Sequence, residues 1–368
     1  MPRQGPPEVE GGAEGKQCGA QDDFCKANIN IIHVNYNLIM TNTKNLKPEL
    51  LLKITRGNNI ETLHNGWICV LDRNKRVIYK KGNVNDYSFL RSTAKPIQAI
   101  PLIENDIKVT QKELAIICGS HSGSEEHIVL LKSLLKKFNL RMSDLQCSIH
   151  EPSDKKERNR LLKTNSLPNI LHNNCSGKHM GMLSVCKRNN WNLKNYLNPN
   201  HPLQRSILNK IKDLSETKNI STAIDGCSAP TFALPIINTG RIFSNFTRDK
   251  KYSKIITAMK SNPYLIGGEE QIDSEIIKAS SRDRVTQPLL ISKVGAEGII
   301  IVAYDGNCAV VKIADGSQKA RSIVILRLLL KLGWLKESQI KNTPLEKICD
   351  FEIKNCAGKI VGEIKAVF

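Results

Sequence analysis

The stretch QPLLISKVGAEGIIIVAYDGNCAVVKIADG, residues 287–316, restricts the fold more than any other part of the chain. It contains three short runs rich in β-branched residues, two of them joined around Asp305 and Gly306. An Asp-Gly pair accepts the positive φ angles of a two-residue turn, so the spacing predicts a tight antiparallel hairpin. A second hairpin is predicted far upstream, in GWICVLDRNKRVIYKKG at 66–82, where two apolar runs flank a polar Asp-Arg-Asn-Lys turn.

Between these strands the periodicity changes. SGSEEHIVLLKSLLKKFNL, residues 122–140, offers serine caps, acids in a first turn and apolar residues at helical spacing, and the region to about 285 reads as mainly helical with long polar connections. A last helix is predicted in SQKARSIVILRLLLKLGW, with Gly333 placed to end it. Strands at both ends and helices between them predict an α/β (α+β) chain: one antiparallel sheet from about 45–90 and 286–368, a helical region over about 92–285 beside it, and a single domain over 45–368. Residues 1–27, rich in Gly, Pro, Gln and acids without an apolar period, are expected to be a disordered extension.

Of 368 residues, 40% are hydrophobic, enough for a sizeable core. No apolar run approaches the roughly 18 residues of a membrane span, and the N-terminus lacks a secretory core, so no membrane partner and a cytoplasmic location are expected. The 11 cysteines are scattered without a framework of spacings, which favours reduced thiols or metal ligands over a disulfide scaffold. A net charge of +19 raises the question of nucleic acid. The lysines are spread along the chain, however, and aromatic residues are only 5%, so nucleic acid is not expected as the main partner.

Chemistry is suggested by five strings. FLRSTAKPIQ sets Ser92 three residues before Lys95; lysine can act as a serine's base if its pKa is depressed, although the same string also reads as an N-cap and a solvated first turn. Pro96 fits best at a first helical position, so the pair is expected in the turn before a helix. ELAIICGSHSGSEEH flanks Ser120, His121 and Ser122 with glycines, which either expose a hydroxyl or only cap the next helix. SKVGAEG puts Lys293 on a strand, followed by a glycine that lets a ligand approach the backbone. NNCSGKHMG and IDGCSAP bring Cys175, Lys178, His179, Asp225 and Cys227, a set able to bind zinc or simply to be buried.

RSTAKPIQ, ELAIICGSHSGSEEH, LHNNCSGKHMGML, NPNHPLQ, TAIDGCSAPTFALP and KVGAEG, in this order and from about Arg56 to Ala320, resemble the rhizobial-type L-asparaginases, a family also labelled asparaginase II. The resemblance implies a hydrolase that converts L-asparagine to L-aspartate and ammonia, on a fold similar to serine β-lactamases and β-lactamase-like glutaminases. It implies two serine-lysine tandems, Ser92 with Lys95 and Ser120 with Lys293, and a supporting zinc site of Cys175, Lys178 and Cys227 with Asp225 beside them. Ser92 is the expected nucleophile, with Ser120 and Lys293 relaying protons or supplying the nucleophile themselves. Candidate substrate contacts are Arg91, His121, His179 and Glu297; a guanidinium such as Arg91 suits a substrate carboxylate, and a salt bridge is its ordinary alternative. A homodimer is the assembly allowed for. Cys118-Gly119 departs from the small residues usual before the Ser-His pair, which bears on the pocket floor. The absence of a Ser-Asp-Asn triplet and the valine in Lys-Val-Gly argue against β-lactam hydrolysis. Rival readings are a glutaminase or other small-amide hydrolase, and a non-catalytic protein that binds amino acids or nucleic acid on the same fold.

Overall fold

The computed structural model describes residues 46–283, 285–349 and 351–368; the extension expected at 1–27 lies outside the described residues. The strands in chain order are β1 (Glu49–Arg56), β2 (Asn59–Leu71), β3 (Val77–Lys81), β4 (Tyr87–Phe89), β5 (Ser221–Ile224), β6 (Pro230–Pro235), β7 (Ile291–Gly295), β8 (Ile299–Tyr304), β9 (Asn307–Ile313), β10 (Glu352–Lys354) and β11 (Ile360–Ala366).

The principal sheet runs β10-β11-β1-β2-β9-β8-β7, with β3 pairing to β2. Its middle is where the two ends of the chain meet. β2 pairs antiparallel with β9, Ile68 opposite Val311, and β1 pairs with β11, Leu52 opposite Ala366. Both predicted hairpins form: β2 and β3 pair across the Asp72–Arg76 turn, and β8 and β9 pair with Tyr304 opposite Asn307. Asp305 and Gly306 adopt φ of 40° and 86°, as the two-residue turn requires.

The central strands are apolar on both faces, and their two-residue period divides them between two cores. Trp67, Cys69 and Leu71 of β2, Ile301 and Ala303 of β8, and Cys308 and Val310 of β9 face the helical region. Ile68, Val70, Ile300, Val302, Ala309 and Val311 face the opposite way, against the helix Gln318–Lys331. Each fully buried Val or Ile contributes about 1.5–3 kcal/mol, so a two-sided sheet of this kind is a rigid platform. On β7 the same alternation sends Ile291, and with it Lys293, to the helical side.

The helix Gln318–Lys331 ends just before Gly333, whose φ of 68° is the left-handed value that glycine supplies at a helix end. Within the region expected to be mainly helical, the structure departs from expectation: β5 and β6 join β4 in a separate three-stranded sheet. Pro230 and Pro235 bound the β6 sequence and hid its strand character. Among the described residues, no helix is long and apolar enough to cross a membrane.

Candidate active site

The helix Gln111–Cys118 begins with a capping box between Thr110 and Glu113 and ends at Gly119, where the chain turns extended. A Cβ on Gly119 would lie 2.5 Å from the carbonyl oxygen of Leu265, so only glycine allows this approach. The Ser120 N–H then donates to Ile266 O at 2.7 Å. These contacts fix Ser120, which is partly exposed between the buried residues Cys118 and His121.

Two buried lysines converge on its hydroxyl. Lys95, at the start of the helix Lys95–Gln98, donates from Nζ to Ser120 Oγ at 2.9 Å, to Gly119 O at 2.8 Å and to Asn174 O at 2.9 Å. Lys293 on β7 reaches Ser120 Oγ at 3.0 Å, Val294 O at 3.0 Å and Asp273 Oδ2 at 3.2 Å. Burial draws the Lys293 ammonium down to about 8; Asp273 opposes the shift, and the nearby charge of Lys95 adds to it. A serine hydroxyl has one proton to give and two lone pairs to offer, so Ser120 can donate to one amine while accepting from the other.

The pairing of Ser92 with Lys95 expected from the sequence is not the one the side chains make. Ser92 lies in the 3₁₀ turn Arg91–Ala94, and its carbonyl, not its hydroxyl, meets Lys95, through the backbone N–H. Among the described residues none hydrogen-bonds the Ser92 hydroxyl. The Lys95 amine is engaged instead by Gly119 O and Ser120 Oγ, at the C-terminal end of the helix Gln111–Cys118, and by Asn174 O. Gly295 also has a different role from the one expected. The room it leaves beside β7 is taken by Ile299 Cγ2 of β8, Leu90 O and Arg91 Cβ, at 2.5, 3.1 and 3.2 Å from where a Cβ would be, so the glycine lets both the neighbouring strand and the Ser92 turn pack closely.

Cys175, Lys178 and Cys227 also meet. Lys178 Nζ is 3.0 Å from Cys227 Sγ, and all three residues are buried. Cys227 beside it holds the Cys175 thiol well below its usual range against the effect of burial, with Lys95 and Lys178 adding to the shift. Burial alone would draw Lys178 down, but the two sulfur groups push it above the ordinary lysine range. Two sulfurs and one amine nitrogen fit a zinc ion as a three-ligand donor set, provided that Lys178 and the thiols give up their protons. Asp225 is engaged elsewhere: its Oδ1 accepts from Arg91 Nε at 2.7 Å. Among the described residues there is no group of three or more His, Cys, Asp or Glu side chains able to hold a metal, so the set depends on the lysine.

The remaining candidates divide. Arg91 is tied to Asp225 and lies 3.9 Å from Glu297 Oε1, the salt-bridge alternative rather than a free guanidinium. Its φ of 47° is left-handed, a conformation that costs a residue with a Cβ about 1 kcal/mol and is held here by those contacts. Glu297 is exposed in the β7–β8 turn. His121 and His179 are buried and kept neutral, in each case first by burial; His127 adds to the effect on His121, and Lys178 to that on His179. His121 Nε2 lies 3.0 Å from Ser176 Oγ and His179 Nδ1 lies 2.6 Å from Tyr196 OH, while His121 Nδ1 and His179 Nε2 have no hydrogen-bond partner among the described residues. Cys118 is fully buried in the core, its thiol pushed up to about 12 by burial, and acts as packing.

Sequence reasoning missed Asp273 and the carbonyls of Gly119 and Asn174. Asp273 stands in the first turn of the helix Ile272–Ser280, where an acid is an ordinary choice; its complete burial is visible only in the fold.

A family model described as L-asparaginase II matches residues 52–366. No curated protein sequence matches the chain. Among solved structures it is similar to a β-lactamase from Mycobacterium bovis, with 13% identity, a TM-score of 0.38, and coverage of 73% of this chain and 95% of that one. It is also similar to the LovD6 mutant of simvastatin synthase from Aspergillus terreus, with 11% identity, a TM-score of 0.31, and coverage of 71% and 90%. Similarity at these scores assigns nothing to the site.

Proposed function

The chain belongs to the L-asparaginase II family, and from that premise we propose that it hydrolyses the side-chain amide of L-asparagine to L-aspartate and ammonia, with Ser120 as the nucleophile. The reading rests on one observation: Ser120 Oγ has an amine within hydrogen-bond reach on each side, Lys95 at 2.9 Å and Lys293 at 3.0 Å. An activated serine needs an adjacent base, and this one has a base and a donor together.

Lys293, drawn down by burial, accepts the Ser120 proton as Oγ attacks the amide carbon. Lys95 donates an N–H to Oγ, held in place by the carbonyls of Gly119 and Asn174. The ammonium formed at Lys293 passes its proton to the leaving nitrogen, ammonia departs, and water attacks the aspartyl ester with Lys293 again as base. Ser92, on the turn docked against β7, orients the substrate in this reading rather than attacking it. Cys175, Cys227 and Lys178 would hold a zinc ion, which supplies a fixed positive charge that attracts an anionic group of the amino acid.

A coupled ammonia assay with L-asparagine and L-glutamine tests the proposal. Ammonia from asparagine, at a kcat/KM above that for glutamine, is expected. Release only from glutamine would move the substrate assignment, and release from neither would remove the hydrolase reading.

A further inference from the structure

Resting on the assignment of Ser120 and Lys293 above, we propose that Asp273 is the positioning carboxylate of a Ser120–Lys293–Asp273 relay: it orients the Lys293 amine towards Ser120 and stabilises the ammonium that forms when Ser120 gives up its proton.

Asp273 and Lys293 are both fully buried, and their side chains form an ion pair at 3.2 Å. A buried charge without a partner is strongly disfavoured, so the carboxylate is tied to whatever positive charge the site develops. Its other contacts fix its direction. Oδ2 also accepts the N–H of Val294 at 3.2 Å, and Oδ1 accepts the N–H of Ser274 at 3.0 Å. The carboxylate is thereby locked to the helix Ile272–Ser280 and to β7, the strand that bears the lysine.

The hydrogen-bond inventory of Lys293 gives the carboxylate its function. A neutral amine has two N–H bonds and one lone pair. Asp273 Oδ2 and Val294 O are acceptors only and take the two N–H bonds, which leaves the lone pair for the Ser120 proton. On attack, the Ser120 O–H bond breaks, an N–H bond forms at Lys293, and Oγ bonds to the amide carbon while its carbonyl electrons move to oxygen. The positive charge then sits against Asp273, which keeps its own charge throughout, as the carboxylate does in a nucleophile–base–orienter triad. The proton is returned to the leaving nitrogen.

The other groups whose charge reaches Lys293 are Lys95 and Cys175; the Cys118 thiol nearby is neutral, and Arg91 lies on the turn packed against β7. The buried Arg321, on the helix Gln318–Lys331, feels the charge of Asp273. Of these, Asp273 is the largest influence that favours the ammonium. Without it, burial and Lys95 are opposed only by the smaller influence of Cys175, so the amine becomes neutral at a lower pH but is a weaker base.

The test compares wild type with Asp273→Asn and Asp273→Ser, two neutral replacements of different size, once each is shown to be folded by thermal unfolding. In wild type, kcat/KM for L-asparagine should rise with pH through about 8. In the variants this limb should move to lower pH by about one unit or more. At the plateau, kcat should fall roughly 10- to 100-fold while KM stays within about twofold. Folded variants that keep the wild-type limb and plateau overturn the proposal. Ser120→Ala and Lys293→Ala serve as controls: if they retain activity, the assignment of the active site has failed, whereas if they are inactive beside unchanged Asp273 variants, only the relay has. Titration of the Lys293 side chain by NMR of lysine-labelled protein, assigned with Lys293→Ala, reads the same shift without substrate. An unchanged titration in the Asp273 variants overturns the relay even if no amide is turned over.

Discussion

Lys293 and Lys178 are both buried lysines on the helical side of the molecule, and their protons are held in opposite ways. Lys293 is drawn down to about 8, while Lys178 is pushed above the ordinary lysine range. Burial acts in the same direction on both. The neighbours decide the difference: one carboxylate shared with two structural N–H groups and a second lysine at Lys293, against the Cys227 sulfur in contact and the charge of Cys175 nearby at Lys178. A lysine of the first kind can exchange a proton near neutral pH, so it suits a base. One of the second kind keeps its proton until something stronger, such as a metal ion, competes for the same sulfurs.

The largest expected effects break this comparison on the Lys293 side. Ser120→Ala, Lys293→Ala and Lys95→Ala should each lower kcat by about 10³-fold or more, as members of one nucleophilic unit do. Ser120→Ala should do so with little loss of thermal stability, whereas Lys293→Ala should also lower stability because it leaves Asp273 buried without its partner. Ser92→Ala should lower it by only about tenfold, because no lysine engages that hydroxyl. Steady-state ammonia release from the four variants decides between the serines. If Ser92→Ala is the dead variant and Ser120→Ala the mild one, the nucleophile is Ser92 and the Ser120 arrangement is a relay.

The reason Ser92 looked like the nucleophile lies in the kind of information a sequence holds. Spacing in the chain reports local neighbours, and Ser92 with Lys95 is a local pair. Lys95 in fact reaches Ser120, 25 residues on, through a backbone path that ends at Gly119. The sheet was legible because its signals are also local: the Asp305-Gly306 turn, the alternating runs of β8 and β9, and Gly333 closing the helix Gln318–Lys331. The pairing of β1 with β11 joins residues more than 300 apart, and no local pattern announces it. The return of strands from the far end of the chain places Lys293 at the border of sheet and helices, where the sequence suggested Ser92 as its neighbour; its tandem with Ser120 was implied only by the family resemblance. The burial of Asp273 was not foreseeable, because a first-turn acid is usually solvated.

On the Lys178 side, the expected effect is smaller and falls on binding. Purified protein should contain up to one zinc per chain by elemental analysis, and a Cys175→Ser, Cys227→Ser double variant should lose it, since the lysine alone cannot hold the ion. If the ion attracts an anionic group of the substrate, KM for asparagine should rise about tenfold in that variant while kcat changes little, because uniform binding appears in KM. Wild-type protein free of metal, with the same KM as the double variant, would reduce the three residues to a buried polar cluster.

The smallest effect concerns the ion pair between Arg91 and Asp225, which decides whether Asp225 is available to the cysteine and lysine cluster at all. The two side chains are 24% and 13% exposed and 2.7 Å apart, a partly screened contact. A double-mutant cycle with Arg91→Gln and Asp225→Asn, read by denaturant unfolding of the metal-free protein, should give a coupling of about 1 kcal/mol or less. Glu297, at 3.9 Å and largely exposed, is too distant and too solvated to replace Asp225 as the partner. A favourable coupling of this size means that the arginine competes with any metal for the carboxylate; zinc content should then be unchanged by Asp225→Asn. A coupling of zero, together with zinc lost in Asp225→Asn, would restore Asp225 as a fourth ligand and free Arg91 to meet a substrate carboxylate, where its bidentate geometry would be an advantage. The two outcomes use the same variants, and because the Asp225 carboxylate has a second oxygen besides the one that accepts from Arg91 Nε at 2.7 Å, the zinc content of Asp225→Asn decides between them.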